Sequence, residues 1–144
     1  MEVEPGMDIR GLGSEIVECP RIGRMIEQHG EQFLQRIFTD WEIRFCQDRN
    51  HAIAHFARLW AAKVAVLRAL GIARGGGIVW RDLEIRDQPN EKPEVRFRGR
   101  IKDTVVELGV REILVSMAHT RTYATASVLV CGTAMKSKGE TPTA

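Results

Sequence analysis

The sequence predicts an α+β domain, with helices packed on antiparallel strands, and three observations carry that prediction. Apolar residues recur at helical spacing in the first half of the chain, most clearly at Ile53, Phe56, Trp60, Val64 and Leu67. Strand-like runs fill the second half in two pairs, "IVWRDLEIR" with "EVRFRG" and "EILVSMA" with "YATASVLVC". The members of each pair are separated only by turn-forming segments, "DQPNEKP" and "HTRT", which calls for antiparallel pairing. Helices first and antiparallel strands later is the α+β order.

Taken in chain order, a flexible polar lead over 1–8 gives way to a short extended piece around Gly11 and Gly13. Ile22, Met25 and Ile26 then stand at i, i+3 and i+4, which predicts an amphipathic helix that Gly30 stops. "TDWE" at Thr39 to Glu42 has the form of a capping box, a hydroxyl at the N-cap and a carboxylate three residues on, so a second helix starts there. A third helix runs from about Ala52 to Leu70 and is closed by Gly71. After the glycine loop "GIARGGGI" come the first hairpin, a short helix carrying Ile101, Val105 and Leu108, and the second strand pair. The folded domain is expected over 9–132. The Ser, Thr, Lys and Pro of 133–144 read as a disordered tail.

A chain of 144 residues with 44 % hydrophobic content suits one domain with an ordinary core. Its net charge of +2 is too small to argue for nucleic acid as a partner, although local arginine-rich runs can steer an acidic protein. Cys19, Cys46 and Cys131 are odd in number and lack metal-site spacing, so idle thiols in a reducing compartment are expected. No stretch approaches the roughly 18 uncharged apolar residues of a membrane span. A cytoplasmic location, with no membrane partner, is the expectation.

Several segments, in this order, resemble the holo-acyl-carrier-protein synthase family of phosphopantetheinyl transferases: "GLGSEIVECPRI", "FARLWAAKVAVLRALG", the glycine loop leading to "WRDLEI", the turn "PNEKP", and "SMAHTRTYATA". The resemblance runs from about Ile9 to Val130. It implies the 4'-phosphopantetheinyl transferase fold, a homotrimer with sites between subunits, and transfer of the phosphopantetheine arm of coenzyme A to a serine of an acyl carrier protein. Magnesium is the implied cofactor, and fatty-acid and other lipid synthesis the implied setting. The chemistry requires that phosphate charge be neutralised, the serine proton accepted and the leaving nucleotide stabilised.

Glu15 stands where the family's "GxGxD" pattern has a magnesium-binding aspartate, and the resemblance makes it a metal ligand and catalytic residue. Val64 replaces the glutamate of the family's "KEA" triplet, here Lys63-Val64-Ala65, and offers no oxygen. No acidic residue lies between Asp48 and Asp82 to substitute for it. Lys63 and Arg68 match basic positions and are implied to meet phosphate as catalytic and coenzyme-A-binding groups. His119 is implied to line the coenzyme A site, and Gly75 and Gly76 to bring backbone amides to a phosphate. Arg21, with Arg24 one turn on, is implied to dock the acidic helix of the carrier protein. Members often carry an arginine just before the aromatic at Trp60; this chain has Leu59 there and Arg58 one place earlier. Without the resemblance, Glu15, Lys63, Arg68, Arg21 and Arg24 read as surface charge, His119 as a turn histidine and the glycines as a plain connection. The departures at 15, 58–59 and 64 keep open a second expectation, a catalytically weakened or inactive paralogue that binds coenzyme A or carrier protein.

Overall fold

The computed structural model describes residues 6–73 and 77–133. Strand β1 (Met7–Glu18) leads into helices α1 (Cys19–Ile37), α2 (Asp40–Gln47) and α3 (Ala52–Ala69). A single 3-10 turn at Trp80–Asp82 precedes β2 (Leu83–Arg86) and β3 (Glu94–Phe97), followed by α4 (Gly99–Glu107), β4 (Val110–His119) and β5 (Tyr123–Thr133). Two antiparallel sheets result, one ordered β1-β5-β4 and the other the β2-β3 hairpin, which confirms the α+β class.

Helix α3 is the centre of the molecule. It crosses the inner face of the three-stranded sheet and touches α1, α2 and β2 on its other sides. Being enclosed on most sides explains a helix that is apolar almost all round, with Leu59, Ala61, Ala62, Val64, Val66 and Leu67 all buried. Strand β1 lies so close to α3 that a Cβ on Gly11 would fall on the carbonyl oxygen of Ala69, and one on Gly13 on that of Ala65. The glycines, and the small residues facing them, set the distance between strand and helix.

Helix α2 begins with the expected capping box: Thr39 Oγ1 accepts from the Glu42 amide at 3.3 Å, and the Thr39 amide donates to Glu42 Oε1 at 2.8 Å. Pro20 sits in the first turn of α1, where its missing N–H costs nothing. Gly30 does not end α1 as expected. It kinks it, at φ 54° and ψ −134°, and a second helical stretch continues to Ile37. The "IVW" run is not strand either, because Trp80 belongs to the 3-10 turn and β2 starts only at Leu83.

The extended piece around Gly11 and Gly13 proves to be a 12-residue strand that pairs along its length with β5, from Met7 opposite Thr133 to Glu18 opposite Tyr123. Met7 and Asp8 are therefore part of the sheet and not of a flexible lead, and Thr133 still belongs to β5. The rest of the expected tail, 134–144, and residues 1–5 of the lead lie outside the described residues. Both neighbours of β5 are bulged, β1 at Arg10 and β4 at Arg111.

The outer face of the three-stranded sheet is apolar where the inner face of β1 is glycine. Leu12, Leu129 and Leu114 form one row across it, Ser14, Ser127 and Ser116 the next, and Ile16 lies beyond. Leu12 is 69 % and Ile16 66 % exposed.

Candidate functional site

Several of the polar groups that the sequence singles out fall at two ends of α3. At the C-terminal end, Arg68 in the last turn of the helix donates from Nη1 to the Ser14 carbonyl at 2.7 Å and to Glu15 Oε1 at 3.2 Å. The same carboxylate oxygen accepts from the Ile16 amide. The inward alternation of β1 places Glu15 on the helix side of the sheet, opposite Ala126, where its side chain is 16 % exposed against 50 % for Arg68. Glu15 lines a cleft of about 540 Å³ walled by Trp60 and Trp80, whose rings stand 4.9 Å apart. Arg21 and Arg36 flank this cleft, one from each side of the Gly30 kink.

At the N-terminal end, His119 closes β4. Its Nδ1 lies 3.4 Å from Arg58 Nη1, and Arg58 Nη2 pairs with Asp87 Oδ2 at 3.0 Å. The His55 ring meets that of His119 edge to face at 4.8 Å. A cavity of about 260 Å³ opens here between His51, Ala54, His119, Thr120 and Arg121. Partial burial pulls the pKa of His119 below its ordinary value, with Arg58 and His51 adding to the effect and Asp87 opposing it. Burial also lowers His55, helped by His119 and the guanidinium groups of Arg58 and Arg49.

Lys63 is not at either end, and the role expected for it at a phosphate is corrected by its position. Its ammonium is fully buried and paired with Glu42 Oε1 at 2.8 Å. It also donates toward the carbonyls of Ile37, Trp80 and Leu83. Three N–H groups meeting four acceptors leave nothing for a ligand. Glu42 Oε2 in turn accepts from the Ile85 amide at 2.8 Å, so the pair ties α2, α3 and β2 together. Burial pushes the Glu42 carboxyl up and the Lys63 ammonium down, each opposed by the charge of the other.

Arg24 is exposed and does not line the cleft that Arg21 lines. Gly75 and Gly76 lie outside the described residues. Val64 is fully buried, as its place on the apolar stripe predicts. Arg36, Trp80 and Asp87 went unread in the sequence: Arg36 stands beyond a glycine that signals a helix end, and Asp87 is 29 positions from the arginine it anchors.

A magnesium ion held by this chain alone does not fit the donor set. Position 64 supplies no oxygen, Glu15 is already paired with Arg68, and no group of three or more His, Cys, Asp or Glu side chains comes together among the described residues. Among the described residues the Arg68 guanidinium places a positive charge beside Glu15.

The 4'-phosphopantetheinyl transferase superfamily pattern matches residues 11–127. A holo-[acyl-carrier-protein] synthase of Rhodopirellula baltica is 46 % identical over 125 residues, which cover 87 % of this chain and 99 % of the relative. One from Koribacter versatilis is 41 % identical, over 85 % of this chain and 98 % of its own. Among solved structures, the holo-[acyl-carrier-protein] synthase of Neisseria meningitidis superposes with a TM-score of 0.77 at 27 % identity, covering 85 % of this chain and 98 % of that one. That of Helicobacter pylori, in complex with coenzyme A, gives 0.71 at 25 % identity, over 83 % and 98 %. With this likeness extending over both ends of α3 and the sheet beneath it, the chain belongs to the holo-[acyl-carrier-protein] synthases of the 4'-phosphopantetheinyl transferase superfamily.

Proposed function

We propose that this chain transfers the 4'-phosphopantetheine arm of coenzyme A to a serine of an acyl carrier protein. The observation that carries the reading is the cleft beside Glu15, which joins an apolar wall of Trp60 and Trp80 to arginines at positions 21, 36 and 68. Arg21 and Arg36 on its rim suit an acidic partner helix, and Arg68 is placed to neutralise the diphosphate bidentately. Glu15 is the carboxylate at the reacting end and accepts the serine proton. His119 lines the coenzyme A site at the other end.

Arg58 and Arg68 are ten positions apart on one helix, about 15 Å of axial rise, so the two halves are too distant to close on one small reacting centre within a subunit. A homotrimer would resolve this if its subunits met so that the Glu15 end of one faced the His119 end of the next, and the exposed row of Leu12, Leu129 and Leu114 is a surface such packing could bury. A magnesium ion at this site would have to draw its oxygens chiefly from coenzyme A and water. The setting is the cytoplasm, with carrier protein and coenzyme A as partners; among the described residues no helix is long and apolar enough to cross a membrane.

The buried valine at position 64 supports a second reading, a paralogue that binds coenzyme A or carrier protein with weak or no turnover. Incubation with coenzyme A, magnesium and apo-carrier proteins, followed by mass measurement of the carrier, decides between them. A gain of one phosphopantetheine is expected; saturable coenzyme A binding without any gain selects the second reading.

A further inference from the structure

Arg58 departs from the resemblance by one position, and the structure gives it a partner that no phosphate role requires. A guanidinium can only donate hydrogen bonds, so the approach of Arg58 Nη1 to His119 Nδ1 leaves that nitrogen as a lone-pair acceptor. The ring proton of the neutral imidazole is then on Nε2. We propose that Arg58 is a positioning residue that fixes His119 as the neutral Nε2–H tautomer, a hydrogen-bond donor to a phosphate oxygen in the adjoining cavity and not a general base.

Three further observations bear on it. The guanidinium cannot turn away, since Asp87 holds its Nη2 at 3.0 Å. Among the described residues its Nε finds no hydrogen-bond partner, so its hold on Asp87 and His119 is through the two terminal nitrogens. His55 packs edge to face on the ring and is itself braced by Phe45, so the imidazole plane is held as well as its proton. The charged and titratable groups around His119 are Arg58 and His55 from α3, His51 at its N-cap, Asp87 after β2 and Arg121 in the β4-β5 turn. Among the described residues only Asp87 favours the imidazolium, and it is paired with Arg58. A base needs a lone pair facing its proton source, and here the lone pair faces a guanidinium. The serine proton must then go elsewhere. This inference rests on the reading that His119 lines the coenzyme A site, but its main test does not.

The test is long-range proton–nitrogen NMR on the histidine-labelled protein between pH 8 and 5, without ligand and with coenzyme A. Wild type should carry the proton on Nε2 of His119 down to a titration midpoint below that of an ordinary histidine. Arg58→Met should mix the tautomers and raise the midpoint by about half a pH unit or more. Arg58→Gln, which removes the charge, carries an acceptor as well as a donor, and substitutes should the methionine variant fail to fold, should likewise mix the tautomers and raise the midpoint. A wild-type proton on Nδ1, or a midpoint unmoved in the variants, overturns the assignment. Coenzyme A should perturb the Nε2 signal and leave Nδ1 unprotonated; unchanged His119 signals at saturation overturn the donor role. Failure of the carrier protein to gain mass bears on transfer alone and leaves the tautomer result standing.

Discussion

Lys63 and Val64 are consecutive, and both are enclosed by the protein, one with its charge met by a carboxylate and three carbonyls, the other among apolar neighbours. For Lys63 the asymmetry of buried ion pairs applies: removing one partner leaves the other charged in the interior. Lys63→Met should destabilise the protein by about 3–5 kcal/mol, and pairing it with Glu42→Gln should recover part of the loss. Denaturant unfolding of the single and double variants reads this out, and a loss under about 1 kcal/mol in the single variant would show the pair to be dispensable. For Val64 the question is the metal. Ligand-free wild type should bind little or no magnesium, and Val64→Glu should raise binding of the ion, followed by manganese relaxation as a stand-in. The new carboxylate is buried, so a stability loss is expected and the fold must be checked first. Tight magnesium binding by ligand-free wild type, or no gain in the folded variant, would contradict the donor-set argument.

Glycine at the strand-helix contact has its effect on elements and not on single groups. A methyl on Gly11 meets the Ala69 carbonyl, which is backbone and cannot swing aside, so Gly11→Ala should cost about 1–3 kcal/mol as β1 and α3 are forced apart. Thermal melts check this, with Gly30→Ala as a contrast, because a Cβ at Gly30 finds open space and only the positive φ opposes it. This contact also explains what the sequence conceals. Helices α2 and α3 and both hairpins are legible from capping, periodicity and turn residues. Strand β1 is legible only as a short extended piece, not in its full length or pairing, because its inner positions are Gly11, Gly13 and Glu15 while Leu12 and Ile16 face outward, so the alternation is inverted. The interior place of Lys63 did leave a signal, a lone lysine amid "LWAAKVAVL", but its partner Glu42 was already accounted for as a cap. The Arg58–His119 contact joins residues 61 positions apart and leaves no local trace.

For the whole molecule the prediction is a closed trimer in solution by light scattering. Leu129→Arg, at the centre of the leucine row, should yield monomers and abolish transfer together; monomeric wild type at working concentration would remove the shared site. Docking is a second property at this scale: affinity for carrier protein should fall as salt rises, and Arg21→Glu should weaken it further. An unchanged affinity would take Arg21 off the docking surface. The two bulges bear on what kind of assembly the chain allows. The sheet among the described residues ends in β1 on one side and β4 on the other, each with backbone groups able to recruit a further strand. At Arg10 and Arg111 an additional residue breaks the ladder near the same point on β5, twisting both margins and lodging a cation on each. Arg10 also caps the Thr133 carbonyl with its guanidinium. Bulges and arginines at both margins thus spoil the strand edges for open-ended addition, so the proposed closed trimer would form without competition from fibrous growth.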